Sequence, residues 1–342
     1  MVRLKRQYSL LWVLGLFCSS MLGAYSASAQ PPPFDSIVVF GASLSDSGND
    51  FVVLSNPEQF GFEPGCDLTT PSNVPPYANL DDLFIPSASY SRGGHHFTNG
   101  ATWVESLASA TGLSGTLRPA LRNEGEKAQN YAVGGARAVD LPCRFNLMDQ
   151  LGAYLSSGHR VSDETLFIFD IGSNDLRDAL ADLPNDPAPI LTAALSNISD
   201  AIQTLYAVGG RQFLIANAPD FGQTPAVQIL DGSVAPGAAF AARQLALGFN
   251  DGLTGLQLGL SALPAIDIRS LDLFALFNEI LAEPEDFGIS ETEMPCITPN
   301  IPPYVCKKPN QFLFWDGIHP SKAVHKVMAD EARKVLFAPN EN

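Results

Sequence analysis

Charge is scarce in this 342-residue chain, and positive charge scarcer still. Charged residues make up 16%, with 20 Lys and Arg against 36 Asp and Glu and a net charge of −16. No basic cluster interrupts the acidic surplus, so a nucleic-acid partner is not expected and anionic lipid headgroups would be repelled. The chain also lacks Cys-x-x-Cys or His-rich spacing for zinc, a Gly-rich phosphate cradle, a dinucleotide fingerprint and any internal repeat. Neither a metal nor an organic cofactor is expected. Gly41-Ala42-Ser43-Leu44-Ser45 is not a Gly-x-Ser-x-Gly elbow, because position 45 is serine.

Apolar residues, by contrast, make up 46% of the chain, ample for a packed core. The first apolar stretch is set aside from the fold. Arg3, Lys5 and Arg6 precede an apolar run from Leu10 to about Tyr25, and Ala27-Ser28-Ala29 then offers the small residues a signal peptidase reads. The run is short for a bilayer span, which needs roughly 20 residues. Gly15-Leu16-Phe17 before Cys18 is a poor lipoprotein site. Residues 1–29 are therefore expected to be a signal peptide cleaved after Ala29, leaving residues 30–342 as one exported domain with no transmembrane segment. No autotransporter barrel is expected either. Cleavage removes three basic residues and no acidic one, taking the net charge from −16 to −19. Four cysteines remain: Cys66, Cys143, Cys296 and Cys306. An even count in an exported chain suggests two disulfides, for which three pairings exist. Cys296 and Cys306 flank a Pro-rich stretch and are expected to pair, which leaves Cys66 to Cys143.

Strand signals alternate with helix signals along the rest. Ile37–Phe40, Gln129–Val133, Leu166–Ile171, Phe213–Ala216 and Ala265–Ile268 read as five strands, three of them followed at once by small residues. Helices are expected over about 102–110, 190–208, 236–263 and from Pro320 to about Leu336. The second of these carries Leu191, Leu195, Ile198, Ile202 and Leu205 at helical spacing. Asn56 to His96, rich in Pro, Gly, Ser and Asn, reads as a long loop. The alternation implies an α/β fold with a mostly parallel sheet of about five strands covered on both faces.

Reactive side chains in such sheets gather at the carboxyl ends of the strands. Ser43 lies just past the first strand. Serine is a weak nucleophile that needs an imidazole to take its proton, and the imidazole needs a carboxylate to fix its tautomer. Asp316-Gly317-Ile318-His319 supplies both groups from one turn. Cleaving an ester builds negative charge on the carbonyl oxygen, which calls for waiting hydrogen-bond donors. The Ser43 N–H, the backbone of Gly134-Gly135 and the Asn174 amide in Gly172-Ser173-Asn174-Asp175 can provide them. Each segment alone reads equally well as an ordinary turn. His95, His96, His159 and His325 have no aspartate at the same spacing and read as structural. Asn197-Ile198-Ser199 is a glycosylation sequon placed mid-helix.

Taken in order, Ser43, Gly135, Asn174 and Asp316-x-x-His319 resemble the GDSL esterase and lipase family, also called SGNH hydrolases, and in particular its larger hemolysin- and phospholipase-like bacterial members. Phe97-Thr98-Asn99-Gly100-Ala101-Thr102-Trp103-Val104 and Phe314-Trp315 extend the resemblance, which runs from Ile37 to about Ala332. It implies a flavodoxin-like three-layer, doubly wound sandwich. It also implies an acyl-ester hydrolase with Ser43 as nucleophile, His319 and Asp316 completing a triad, and Ser43, Gly135 and Asn174 as oxyanion donors. Gly135 is preferred over Gly134 because it stands five residues after Asn130. The family's Gly-Asp-Ser-Leu reads Gly41-Ala42-Ser43-Leu44 here, so the aspartate before the nucleophile is missing; Asp46 and Asn49 remain to brace the turn. The substrate is expected to be a small-molecule or lipid ester. Acyl transfer from a phospholipid, polysaccharide deacetylation, and a catalytically silent ligand-binding protein are the alternatives.

Overall fold

The computed structural model describes residues 32–63, 66, 96–122, 128–297 and 305–339. The signal-peptide expectation for residues 1–29, Cys18, His95 and most of the Asn56–His96 loop lie outside the described residues.

Among the described residues four parallel strands form the sheet: β1 (Ser36–Gly41), β2 (Thr165–Asp170), β3 (Gln212–Ala216) and β4 (Asp267–Leu271), hydrogen-bonded in that order. The register sets Ser36 beside Thr165, Leu166 beside Gln212 and Gln212 beside Asp267. The first three strands are continuous apolar runs because both of their faces are covered. Val38, Phe40, Phe167, Phe169, Phe213 and Ile215 point into one apolar cluster. Their alternates Ile37, Val39, Leu166, Ile168 and Leu214 point into the other. That two-residue alternation across a doubly covered sheet makes three layers.

Nine α-helices are present among the described residues. They are α1 (Asn49–Ser55), α2 (Trp103–Ala110), α3 (Leu147–Ser156), α4 (Ser173–Ala181), α5 (Ala188–Ala207), α6 (Pro225–Asp231), α7 (Ala238–Leu260), α8 (Leu273–Ala282) and α9 (Lys322–Phe337). Helices α3, α4, α5 and α7 bury Leu151, Leu176, Ile198 and Phe249 against the first face. Helices α2, α8 and α9 bury Leu107, Leu276 and Met328 against the second. In α9 the stripe Val324, Met328, Ala332 and Leu336 repeats every four residues and is buried throughout.

Among the described residues the sheet has four strands, against an expectation of about five. Gln129–Val133 does run along the outer edge of β1: Val39 donates to the Gln129 carbonyl at 3.0 Å, Tyr131 to Val39 at 2.8 Å and Val133 to Gly41 at 3.1 Å. It stops short of a regular strand, its pairing with β1 being an isolated bridge between Val39 and Asn130, and its other edge is paired as well. Asn130 pairs with the 118–120 segment (Asn130 N to the Arg118 carbonyl 3.2 Å, Ala120 N to the Asn130 carbonyl 2.9 Å), and the Ala132 N–H bonds back to Asn130 Oδ1 at 3.0 Å. With this segment on one side of β1 and β2 on the other, the winding reverses at β1. In doubly wound sheets such a reversal opens a crevice at the strand's carboxyl end. Ser43 sits there.

Both expected disulfides are present, Cys66–Cys143 and Cys296–Cys306. No helix among the described residues is long and apolar enough to cross a membrane.

Candidate active site

The turn after β1 is held from beneath by a buried carboxylate. Asp46 Oδ1 accepts the Gly48 and Asn49 N–H groups at 2.6 Å each, and Oδ2 accepts Asp50 N at 3.0 Å and Gly134 N at 2.8 Å. Burial pushes its pKa up, against the pull of those four donors. Asn49 Nδ2 reaches the carbonyls of Asn130 and Ala132 at 2.8 Å each, and Asn130 Nδ2 returns a bond to the Ser45 carbonyl at 2.7 Å. Ser45 and the Trp103 indole both donate to Asp170 at the end of β2, at 2.6 and 3.0 Å. The missing aspartate at position 42 thus leaves a turn fully braced by other side chains, and Ser43 is half-buried at its apex.

The second component arrives from the loop before α9. Asp316 Oδ1 accepts the Ile318 and His319 N–H groups at 2.8 and 2.7 Å, which curls the chain so that Oδ2 lies 2.7 Å from His319 Nδ1. With Nδ1 protonated to serve that carboxylate, Nε2 is an acceptor, and Ser43 Oγ stands 2.9 Å from it. Asp316 is 0% exposed and His319 2%. Phe97 packs its ring 5.2 Å from the imidazole, Thr98 Oγ1 donates to the Pro320 carbonyl at 2.9 Å, and Asn99 Oδ1 accepts Lys322 N at 2.7 Å. The Phe97–Asn99 stretch therefore clasps the histidine loop.

Asn174 lies in the first turn of α4. Its Nδ2 donates to the Ala136 carbonyl at 2.9 Å, and its Oδ1 accepts from Arg177 Nη1 at 3.0 Å. Of the two adjacent glycines, Gly134 has its N–H committed to Asp46. A Cβ there would lie 2.4 Å from the Phe97 ring, which explains the glycine. Gly135 has φ 73°, the left-handed region glycine favours. Among the described residues the N–H groups of Gly135 and Ser43 make no hydrogen bond. Ser43, Asn174 and His319 line a common cavity of about 590 Å³, while Gly135 is not part of its wall. The rest of that wall is largely apolar, including Leu180, Leu183, Phe221, Val227, Leu230 and Ile318.

The remaining histidines have structural surroundings. His96 pairs with Glu105 at 2.8 Å, and His159 stacks on Tyr154. His325 accepts the Trp103 N–H on Nδ1 at 3.2 Å, while burial, aided by the neighbouring His319 and His96, lowers its pKa to about 3. Asn197 of the sequon bonds the Ala138 carbonyl at 2.9 Å.

Several residues of the site gave no sequence signal. Gln150 clamps Gly41 at the end of β1, donating from Nε2 to its carbonyl and accepting its N–H, both at 2.9 Å. Asp175 accepts the Ala138 and Val139 N–H groups at 2.9 and 3.0 Å, and burial raises its pKa to about 6. Arg137 is paired twice to Asp178 at 2.8 Å and reaches the Gly135 carbonyl with Nη1. A buried Arg–Asp pair and a glutamine on a helix face resemble surface polar residues until the packing is known.

At the reversal point of the doubly wound sheet, a hydroxyl, an imidazole and a carboxylate thus stand in one hydrogen-bonded line. The model of the GDSL-like lipase/acylhydrolase family matches residues 37–332, and the chain belongs to that family. It is a carboxylic ester hydrolase. It is 23% identical to the GDSL esterase/lipase EXL2 of Arabidopsis thaliana over 92% of both chains. It is 24% identical to the thermolabile hemolysin of Vibrio parahaemolyticus over 89% of this chain and 64% of that one. Among solved structures, a mutant of an acetylxylan esterase from Geobacillus stearothermophilus aligns over 89% of this chain and 95% of that one, at 12% identity and a TM-score of 0.43.

Proposed function

We propose that the protein is an exported serine esterase that cleaves esters of apolar acyl chains through an acyl-enzyme. The observation that carries this reading is the unbroken line Asp316–His319–Ser43, with bonds of 2.7 and 2.9 Å, ending at the mouth of an apolar cavity. His319 Nε2 takes the Ser43 proton as Oγ adds to the ester carbonyl, and Asp316 stabilises the imidazolium. The oxyanion so formed is met by the N–H groups of Ser43 and Gly135 and by the Asn174 amide. Collapse breaks the C–O bond, and the imidazolium returns its proton to the departing alcohol. Water then attacks the acyl-enzyme, giving up a proton to His319; the carboxylic acid leaves and Ser43 regains its hydrogen.

A cavity of about 590 Å³ with this lining suits an acyl chain longer than acetyl. That favours lipid-like or medium-chain esters over acetylated polysaccharide. Export is supported by the two disulfides and by the composition of residues 1–29, read as a signal peptide preceding a single domain. The test is a panel of p-nitrophenyl esters from acetyl to dodecanoyl, assayed with wild type and Ser43→Ala. Wild type should prefer the longer members and the variant should hydrolyse none; an active Ser43→Ala would refute the nucleophile.

A further inference from the structure

Four side chains from one and a half turns of α4 reach the loop that carries Gly135 or brace the groups facing it. Asp175 holds the Ala138 and Val139 N–H groups, Asp178 holds Arg137, and Arg137 holds the Gly135 carbonyl. Asp175 thus fixes that backbone directly, and Asp178 does so through Arg137. Arg177, by contrast, ends on the Asn174 amide itself and lines the cavity beside it.

An asparagine amide is nearly symmetric in shape, and only its partners decide which end carries the donors. A flipped Asn174 would aim an oxygen at the developing oxyanion and repel it. Two partners forbid the flip. The Ala136 carbonyl can only accept, so it takes one Nδ2 hydrogen, and the Arg177 guanidinium can only donate, so it takes Oδ1. One N–H of Nδ2 is left for the reaction. A cationic donor on Oδ1 also draws electron density from the amide and strengthens that N–H as a donor. The guanidinium is held in a setting that disfavours its charge: burial, then the neighbouring Arg137, bring its pKa down to about 10. On these grounds we infer that Arg177 is a positioning residue, which orients and polarises the Asn174 amide. This rests on the oxyanion reading of Asn174 given above.

The test is a double-mutant cycle on a soluble short-chain ester, with kcat and KM measured for Arg177→Met, Asn174→Ala and the pair, alongside thermal unfolding of each. Arg177→Met should lower kcat about ten-fold, a fraction of what removing a whole oxyanion donor does, with KM within two-fold of wild type. Placed on Asn174→Ala, it should lower kcat by less than two-fold further, because the group it acts through is gone. If Arg177→Met does not fold, the same cycle is read with Arg177→Gln. An Arg177 variant with kcat within two-fold of wild type overturns the inference. So does a loss that persists at full size in the Asn174→Ala background, which would mark a purely structural effect. Full kcat in Asn174→Ala alone would instead overturn the oxyanion reading, and the inference with it.

Discussion

Replacing Asp46 by asparagine perturbs the site without touching any reacting group. The carboxylate receives four backbone N–H groups, two on each oxygen. An asparagine presents one oxygen, so two of those four donors would face an NH2 group in a site that is 0% exposed. Each orphaned buried donor costs about 1–3 kcal/mol, giving about 2–6 kcal/mol in all. In a protein of this size that is a fall in Tm of about 3–9 °C. The Gly134 N–H is the donor that ties the nucleophile turn to the neighbouring Gly135, so loosening it also displaces Ser43 relative to the loop opposite. A displacement of about 1 Å lowers the rate by up to about 100-fold. Calorimetry and kcat/KM on one ester measure the two effects on the same sample. Asp46→Asn with a Tm within about 2 °C of wild type, or with undiminished activity, would refute the reasoning that this carboxylate is the brace in place of the absent aspartate at position 42.

Other perturbations have equally definite outcomes. Asn174→Ala should lower kcat by about 100- to 1,000-fold while leaving KM nearly unchanged; kinetics on a soluble ester decides. Ala238→Phe, which fills the apolar cavity from α7, should lower kcat/KM for long acyl esters about ten-fold and spare acetyl esters; a uniform loss across chain lengths would place the acyl chain elsewhere. His325 is buried and stays neutral, its pKa lowered to about 3, whereas in the unfolded chain it takes up a proton below about pH 6.5. The unfolded state therefore binds more protons between those values, so this residue's contribution to stability falls as pH falls, by up to about 1.4 kcal/mol per pH unit. Asp175, with its pKa raised to about 6, acts in the opposite sense, its contribution being lost as pH rises through about 6. The comparison is accordingly made between wild type and His325→Leu, in which Asp175 cancels. The advantage of wild type at neutral pH should shrink from about pH 6.5 downward in denaturant titrations, and a constant gap would contradict the assignment.

The strands β1, β2 and β3 were legible because burial on both faces leaves uninterrupted Val, Ile, Leu and Phe runs, a signal that survives without context. The strand expected over Ala265–Ile268 begins two residues ahead of β4: Asp267-Ile268-Arg269-Ser270-Leu271 is a partly exposed edge strand with little apolar continuity, and Ala265 before it adopts φ 59°. The helices α2, α5, α7 and α9 are legible in the sequence, α5 by its apolar periodicity. The helices α1, α3, α4, α6 and α8 are not. Helix α4 opens on Ser173-Asn174-Asp175, and Asn174 and Asp175 turn to the neighbouring loop, which leaves only Leu176 and Ala179 as its buried apolar residues. Helices α1 and α6 have seven residues each, too few for a period to emerge. The candidates Ser43, Asn174, Asp316 and His319 stand out in the sequence because their types suit the chemistry and their order along the chain resembles the family's; the structure brings Ser43, Asp316 and His319 into one hydrogen-bonded line. The supports Gln150, Arg137, Asp175 and Arg177 do not stand out, since any polar residue on a helix or loop has the same appearance until the chain is folded around it.

The central claim is that the Ser43 hydroxyl is activated by the imidazole 2.9 Å away. Incubation with a fluorophosphonate followed by mass spectrometry of the digested protein tests it most directly, because an unactivated serine does not displace fluoride at a useful rate. A single phosphonyl adduct on the peptide bearing Ser43, formed at least 100-fold more slowly in His319→Ala (the order expected for loss of a general base), is the predicted result. An adduct on another serine, or one on Ser43 that forms at the same rate without His319, would contradict the account.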